Sequence, residues 1–213
     1  MKPLYSSAFL SIILAFFIFM GAKDYPILTP GNPGGYSFSN IIEPAPKLFS
    51  EASPPESVTI EVFETFGCKD CMNFSLGTYK ELQEKYKDDA RVELKRFTIP
   101  DLSNEGEVAA TIGVECAAEG GKGEEMYEAL HITSEPLSQR EVDLIGQELG
   151  LPVIPFRACL KSDKYGAKIG EDIAYAEEKG ITRKPTILIG DYVLYGNQPV
   201  ENIERVIDRI LNP

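Results

Sequence analysis

Apolar residues alternate along "SVTIEVF", with Val58, Ile60 and Val62 on one parity, and this predicts a strand over about 58–63. From Cys68 the period changes. Met72, Phe74, Leu76, Tyr79, Leu82 and Tyr86 recur at helical spacing, and "DDARVELKRF" then reads as a turn followed by a strand. The stretch from about 104 to 180 shows no alternating run. "NEGEVAATIGVECAAEG" opens on an Asn cap with an acidic first turn and stops at Gly120-Gly121. Four further helices follow in "GEEMYEALH", "LSQREVDLIGQELG", "PFRACLKS" and "KYGAKIGEDIAYAEEKG", the second ending at Gly150 and the last at Gly180. "PTILIGDYVLYG" predicts two short strands about Gly190-Asp191, and "PVENIERVIDRILN" an amphipathic helix with Pro199 near its start. The order is β-α-β, a helical block, then β-β-α, an α/β domain over 58–213.

Two segments precede that domain. Lys2 is followed by "AFLSIILAFFIFMGA", residues 8–22, apolar and without charge, which reads as an export signal. Met20 and Ala22 fit a cleavage site weakly, and Leu4 to Ala22 nearly suffices to span a bilayer, so residues 1–22 are either a signal peptide or a membrane anchor. Residues 23–57 are rich in Pro, Gly and Ser and read as a linker. Either fate of the leader puts the domain outside the cytoplasm, periplasmic or at the cell surface, where disulfides persist.

The formal net charge of −12, with no Lys/Arg cluster, argues against nucleic acid and anionic lipid as partners. The single histidine, His131, reads as a surface residue at a helix end. It leaves too little material for a usual zinc or acid-base constellation, so no metal site is expected.

Chemistry concentrates in "GCKDC", where a strand passes into a helix. Unpaired N–H groups and a partial positive charge at a helix N-terminus hold a cysteine there partly as thiolate, the reactive species. Cys68 takes that place, and Cys71, nearly a turn later, can close a disulfide with it. Cys68 is expected to be the exposed, attacked sulfur and Cys71 the buried resolving one. Lys69 favours the thiolate and Asp70 opposes it, so their charges nearly cancel. A structural disulfide and half of a zinc site are the competing readings of the pair.

Strand-"GCKDC"-helix, a helical insertion at about 104–180 and "TRKPTILIGDYVLYG" together resemble the DsbA-like thioredoxin-fold thiol-disulfide oxidoreductases. The likeness covers about residues 57–211. It implies a thioredoxin fold with an inserted helical subdomain and no cofactor beyond the Cys68–Cys71 disulfide. It also implies a cis-proline at Pro185 beside that disulfide, with the backbone of Lys184 pairing to an extended substrate segment. Cys116 and Cys159 fall one in each of two insertion segments, "VECAAEGGKGEEMYEALH" and "PFRACLKSDKYGAKIGEDIAYAEEKGI". Paired, they would tie two insertion helices together; the alternative is two buried free thiols.

Two positions depart from the family. Lys184 stands where Thr or Val is usual, and its cation is expected to favour a Cys68 thiolate and make the disulfide more oxidising. Val62 stands where relatives carry a buried acid six residues before the first cysteine; Glu61 lies one position off, on the opposite face, and Glu64 or water is left to handle protons at Cys71. The function expected is disulfide donation to exported proteins, with reoxidation by a quinone-linked membrane oxidase of the DsbB or VKOR-like type. The alternatives are a reductase or isomerase, and a non-catalytic binding module.

Overall fold

The computed structural model describes residues 41–42, 55–133 and 136–212. The apolar leader and most of the Pro/Gly/Ser-rich stretch lie outside them. Among the described residues no helix is long and apolar enough to cross a membrane.

Among the described residues five strands form one sheet: β1 (Ile41–Ile42), β2 (Val58–Glu64), β3 (Val92–Thr98), β4 (Thr186–Ile189) and β5 (Tyr192–Tyr195), in spatial order β1-β5-β4-β2-β3. β2 runs parallel to β3, as it must when a helix carries the chain back across the sheet, and antiparallel to β4. The β4–β5 hairpin turns at Gly190, whose φ of +58° is the left-handed conformation that such a tight connection requires. β1 falls in the stretch read from the sequence as linker; it pairs Ile41 with Leu194 and Ile42 with Val193 along the outer edge of β5.

The crossover that the apolar spacing presents as one helix is divided. α1 (Lys69–Asn73) passes through a wider π segment (Phe74–Thr78) into α2 (Tyr79–Tyr86). Between β3 and β4 come α3 (Glu105–Glu119), α4 (Gly123–Ile132), α5 (Gln139–Glu148), α6 (Val153–Leu160) and α7 (Gly166–Glu178), and α8 (Val200–Leu211) ends the domain. Asn104 caps α3 by accepting from the N–H groups of Gly106 and Glu107, and Ser138 caps α5 through the N–H of Glu141.

Alternation along β2 divides the interior. Ile60 and Val62 face α2 and α8, packing with Leu82, Ile203 and Ile207. Phe63 faces the other way, stacked on Phe97 at 4.9 Å between ring centroids and covered by Ala176 of α7. The insertion has its own core, built from residues such as Met126, Tyr127, Val142 and Phe156. Phe66 belongs to that core, although it sits in the loop that follows β2.

Candidate active site

β2 delivers the chain to the site and a glycine turns it. Thr65 and Phe66 are buried, Gly67 takes a φ of +73° that a side chain would strain, and Cys68 follows as the N-cap of α1. Cys68 is extended, with φ −101° and ψ 116°, and its Sγ accepts the Cys71 N–H at 3.1 Å. Cys68 and Cys71 are joined as a disulfide with Cα atoms 5.2 Å apart. Cys71 is wholly buried and Cys68 only partly. One sulfur can therefore be approached from outside while the other stays covered. Lys69 and Asp70 are both exposed on the first turn.

Pairing of Phe63 with Thr186 brings the start of β4 against the end of β2, so a segment 116 residues further along the chain reaches Cys68. The Lys184–Pro185 peptide bond is cis. The Lys184 carbonyl oxygen lies 3.8 Å from Cys68 Sγ. The Lys184 ammonium instead donates to the Ile99 carbonyl at 2.6 Å. The group that Lys184 sets against the sulfur is thus its carbonyl, while its charge is held by another loop.

Beneath the loop lies a polar cluster drawn from four elements. Glu64, at 0 % exposure, accepts hydrogen bonds from Ser75 of the π segment and from the Tyr127 hydroxyl of α4. Arg96 of β3 places Nε 3.8 Å from the same carboxylate, and its guanidinium lies 3.5 Å from the centre of the Tyr127 ring and 2.7 Å from Glu124. Burial raises the Glu64 carboxyl to about 7, against the lowering effects of Ser75, Tyr127 and Arg96. Burial also drives the Tyr127 hydroxyl upward. Val62 is fully buried, whereas Glu61 faces α7 and accepts from the Tyr175 hydroxyl at 2.7 Å.

His131 corrects the sequence reading. It is 6 % exposed rather than superficial, with its ring 4.8 Å from that of Phe66 and 4.6 Å from that of Tyr127. Position in the last turn of α4 suggested exposure, but the insertion packs that turn against the loop before Cys68. Neither ring nitrogen has a hydrogen-bond partner among the described residues. Burial, followed by the charge on Arg96, lowers its pKa to about 4, so the ring is neutral at pH 7.

The second pair of cysteines lies in the insertion. Cys116 of α3 and Cys159 of α6 form a disulfide with Cα atoms 5.9 Å apart. Among the described residues the one grouping of three potential metal ligands is Cys116, Glu119 and Cys159, and its two sulfurs are bonded to each other.

A CxxC disulfide at a helix N-terminus, with the carbonyl of a cis Lys–Pro peptide set against its first sulfur by neighbouring strands of this sheet, defines a thiol-disulfide oxidoreductase with a DsbA-like thioredoxin fold. The chain belongs to the thioredoxin family, whose model, described as Thioredoxin, matches residues 53–209. A thioredoxin-like oxidoreductase from Silicibacter pomeroyi DSS-3 is 24% identical, with 73% of this chain and 88% of that one covered at a TM-score of 0.63. A variant of alpha-DsbA1 from Wolbachia pipientis is 18% identical, covering 74% and 87% at a TM-score of 0.63. Oxidised BdbD from Bacillus subtilis is 17% identical, covering 73% and 88% at 0.62. At these identities the likeness establishes the fold. No curated protein matches the chain significantly.

Proposed function

We propose that the protein donates disulfides to exported proteins outside the cytoplasm, with Cys68 as the sulfur that meets substrate and Cys71 as the buried sulfur that leaves and that can resolve the mixed disulfide by re-attack on Cys68. The observation that carries this reading is the asymmetry of the pair. Cys68 is accessible, capped by the Cys71 N–H and set against Lys184 and cis-Pro185, whereas Cys71 is covered.

A substrate thiolate attacks Cys68 Sγ, the Cys68–Cys71 bond breaks, and Cys71 leaves as a thiolate. A second substrate thiolate then attacks the substrate sulfur of the mixed disulfide, and Cys68 leaves. The substrate has lost two electrons and two protons, and the electrons reside in the Cys68/Cys71 dithiol. The N-terminus of α1 and the Cys71 N–H stabilise the departing Cys68 thiolate, which favours the reduced protein and so the donor direction. Once Cys68 is reduced, its thiol stands where it can donate to the Lys184 carbonyl. An extended substrate segment would pair with the backbone at Lys184. To turn over, the dithiol must pass its two electrons to an outside acceptor, for which a quinone-linked membrane oxidase of the DsbB or VKOR-like type has the required chemistry. Residues 1–22 would direct export, as a cleaved signal or as an anchor.

The test is oxidation of a reduced model protein together with the equilibrium of Cys68/Cys71 against glutathione. Cys68→Ala is expected to abolish oxidation, and Cys71→Ser, activated at Cys68 as a disulfide with glutathione, to exchange glutathione for substrate and accumulate mixed disulfides. A potential above about −180 mV supports the donor, and one near about −270 mV would reverse the direction to that of a reductase. Oxidation retained by Cys68→Ala would overturn the mechanism.

A further inference from the structure

A cavity of about 440 Å³ opens beside the accessible cysteine, lined by Gly67, Asn104, Glu107, Leu130, His131 and Leu137 among others. Gly67 immediately precedes Cys68, so a substrate segment joined to Cys68 has a wall residue of this space next to its point of attachment. Its walls come from both parts of the domain: the loop after β2, the first turn of α3, the end of α4, and Pro136 and Leu137 ahead of α5. The contact between α3 and Leu137 is tight, because a Cβ at Gly106 would collide with the Leu137 carbonyl.

Glu107 supplies the charge. Its carboxylate accepts from the Thr65 hydroxyl, from the Asp101 N–H at 3.0 Å and from Asn104 Nδ2 at 2.9 Å. All three donors are neutral, and no cation pairs with this half-buried carboxylate among the described residues. A half-buried carboxylate favours a counter-charge when one can reach it, since hydrogen bonds from charged donors are the stronger ones. His131 also lines the space, more than nine-tenths buried, and its ring nitrogens find no partner among the described residues. A neutral imidazole carries one donor and one acceptor, and leaving them unmade opposes the fold unless something supplies the bonds. Leu130 and Leu137 give the space apolar sides suited to a methylene stem. Nearby surface charge is mixed but more acidic than basic: Asp70, Asp101 and Glu105 are exposed, as is Lys69, while the Lys184 ammonium is engaged by Ile99.

We propose that this cavity is a specificity subsite for a basic side chain, lysine or arginine, carried by the substrate within two residues of its reacting cysteine. This rests on the oxidoreductase reading above and adds a preference to it. The aliphatic stem lies along Leu130 and Leu137, and the cation meets Glu107. Because the cavity lies to one side of Cys68, only one flank of the substrate cysteine can place a side chain there.

The experiment uses the full chain carrying Cys71→Ser and a set of short single-cysteine peptides. Each carries one lysine, alanine or glutamate on one or other flank of the cysteine, and the rate of mixed-disulfide formation is measured with Cys71→Ser activated at Cys68 as a disulfide with a small thiol. Lysine on the favoured flank is expected to react about tenfold faster than alanine. Lysine on the other flank should show no more than the general attraction of an acidic protein. In the Glu107→Gln variant the lysine-to-alanine ratio on the favoured flank should fall to that of the other flank. Between about 0.05 and 0.5 M salt the flank difference should persist, because a half-buried pair is screened less than a surface field. Equal gains from lysine on both flanks, or a ratio untouched in Glu107→Gln, would overturn the subsite while leaving the oxidoreductase reading intact. Failure of every peptide, alanine included, to react at Cys68 would overturn both. The flank comparison within the Cys71→Ser protein that keeps Glu107 decides the matter even if the Glu107 variant does not fold.

Discussion

Glu64 and His131 lie in one buried cluster and titrate in opposite senses, which makes a measurable prediction about stability. Burial raises Glu64 from an ordinary 4.5 to about 7. The folded protein then keeps a proton that the unfolded chain has released, so the stability from this group is present below pH 4.5 and lost as the pH rises through 7. His131 is lowered from an ordinary 6.5 to about 4. Here the unfolded chain binds the proton, so the stability is present above pH 6.5 and lost as the pH falls through 4. The two windows overlap from pH 4.5 to 6.5. Each group there contributes about 2 pH units at about 1.4 kcal/mol per unit, or about 3 kcal/mol, and the signs cancel. Replacing His131 with Phe keeps a ring between Phe66 and Tyr127 and removes one side of the balance. Denaturant unfolding of the parent, with both disulfides intact, should then be nearly level across that window apart from its exposed carboxylates. The His131→Phe variant should lose about 3 kcal/mol relative to the parent on going from pH 4.5 to 6.5, and Glu64→Gln should gain as much. Subtracting the parent removes the background common to all three proteins. A His131→Phe profile parallel to that of the parent would refute the reasoning, because it would mean that the imidazole titrates alike in the folded and unfolded chain.

Two further outcomes follow from the loops and the second disulfide. Replacing both Cys116 and Cys159 with Ser releases a loop with a sequence separation of 43, and the chain-entropy relation puts the loss near 4 kcal/mol, read as a lowered denaturation midpoint with Cys68–Cys71 still able to oxidise a thiol peptide. Lys184→Met removes the ammonium from the Ile99 carbonyl; it should cost about 1 to 2 kcal/mol in the same unfolding assay, while shifting the Cys68/Cys71 potential by less than about 15 mV. A larger move toward the reducing end would restore the electrostatic role that the sequence suggests for this lysine.

The elements that depend on neighbouring residues were legible. Asn104 begins α3, the Gly190-Asp191 pair makes a hairpin, and two cysteines at a strand-to-helix junction point to thiol chemistry without any tertiary information. What escaped is what the fold assembles from distant positions. Glu64 meets Ser75 eleven residues away and Tyr127 sixty-three away, and no local pattern announces such a cluster. One signal was present: Glu64 has the parity of Ile60 and Val62, so alternation alone directs its carboxylate inward. His131 was misplaced because the end of a helix is a poor guide to exposure when an inserted block packs that end against a loop. The π segment was likewise invisible, since Phe74, Tyr79 and Leu82 suit an unbroken helix equally well.

Phe66 gives the insertion a meaning beyond ornament. It stands two residues before Cys68, yet its ring is held by Met126, Tyr127 and their neighbours rather than by the sheet. The helical block is therefore the foundation on which the reactive loop rests. A chain trimmed to its sheet and crossover helices would retain both cysteines and the proline but leave the loop without its anchor. Conversely, substitutions deep among the insertion helices can retune the loop without altering either cysteine or the proline, which gives evolution, or a protein engineer, a remote handle on the site.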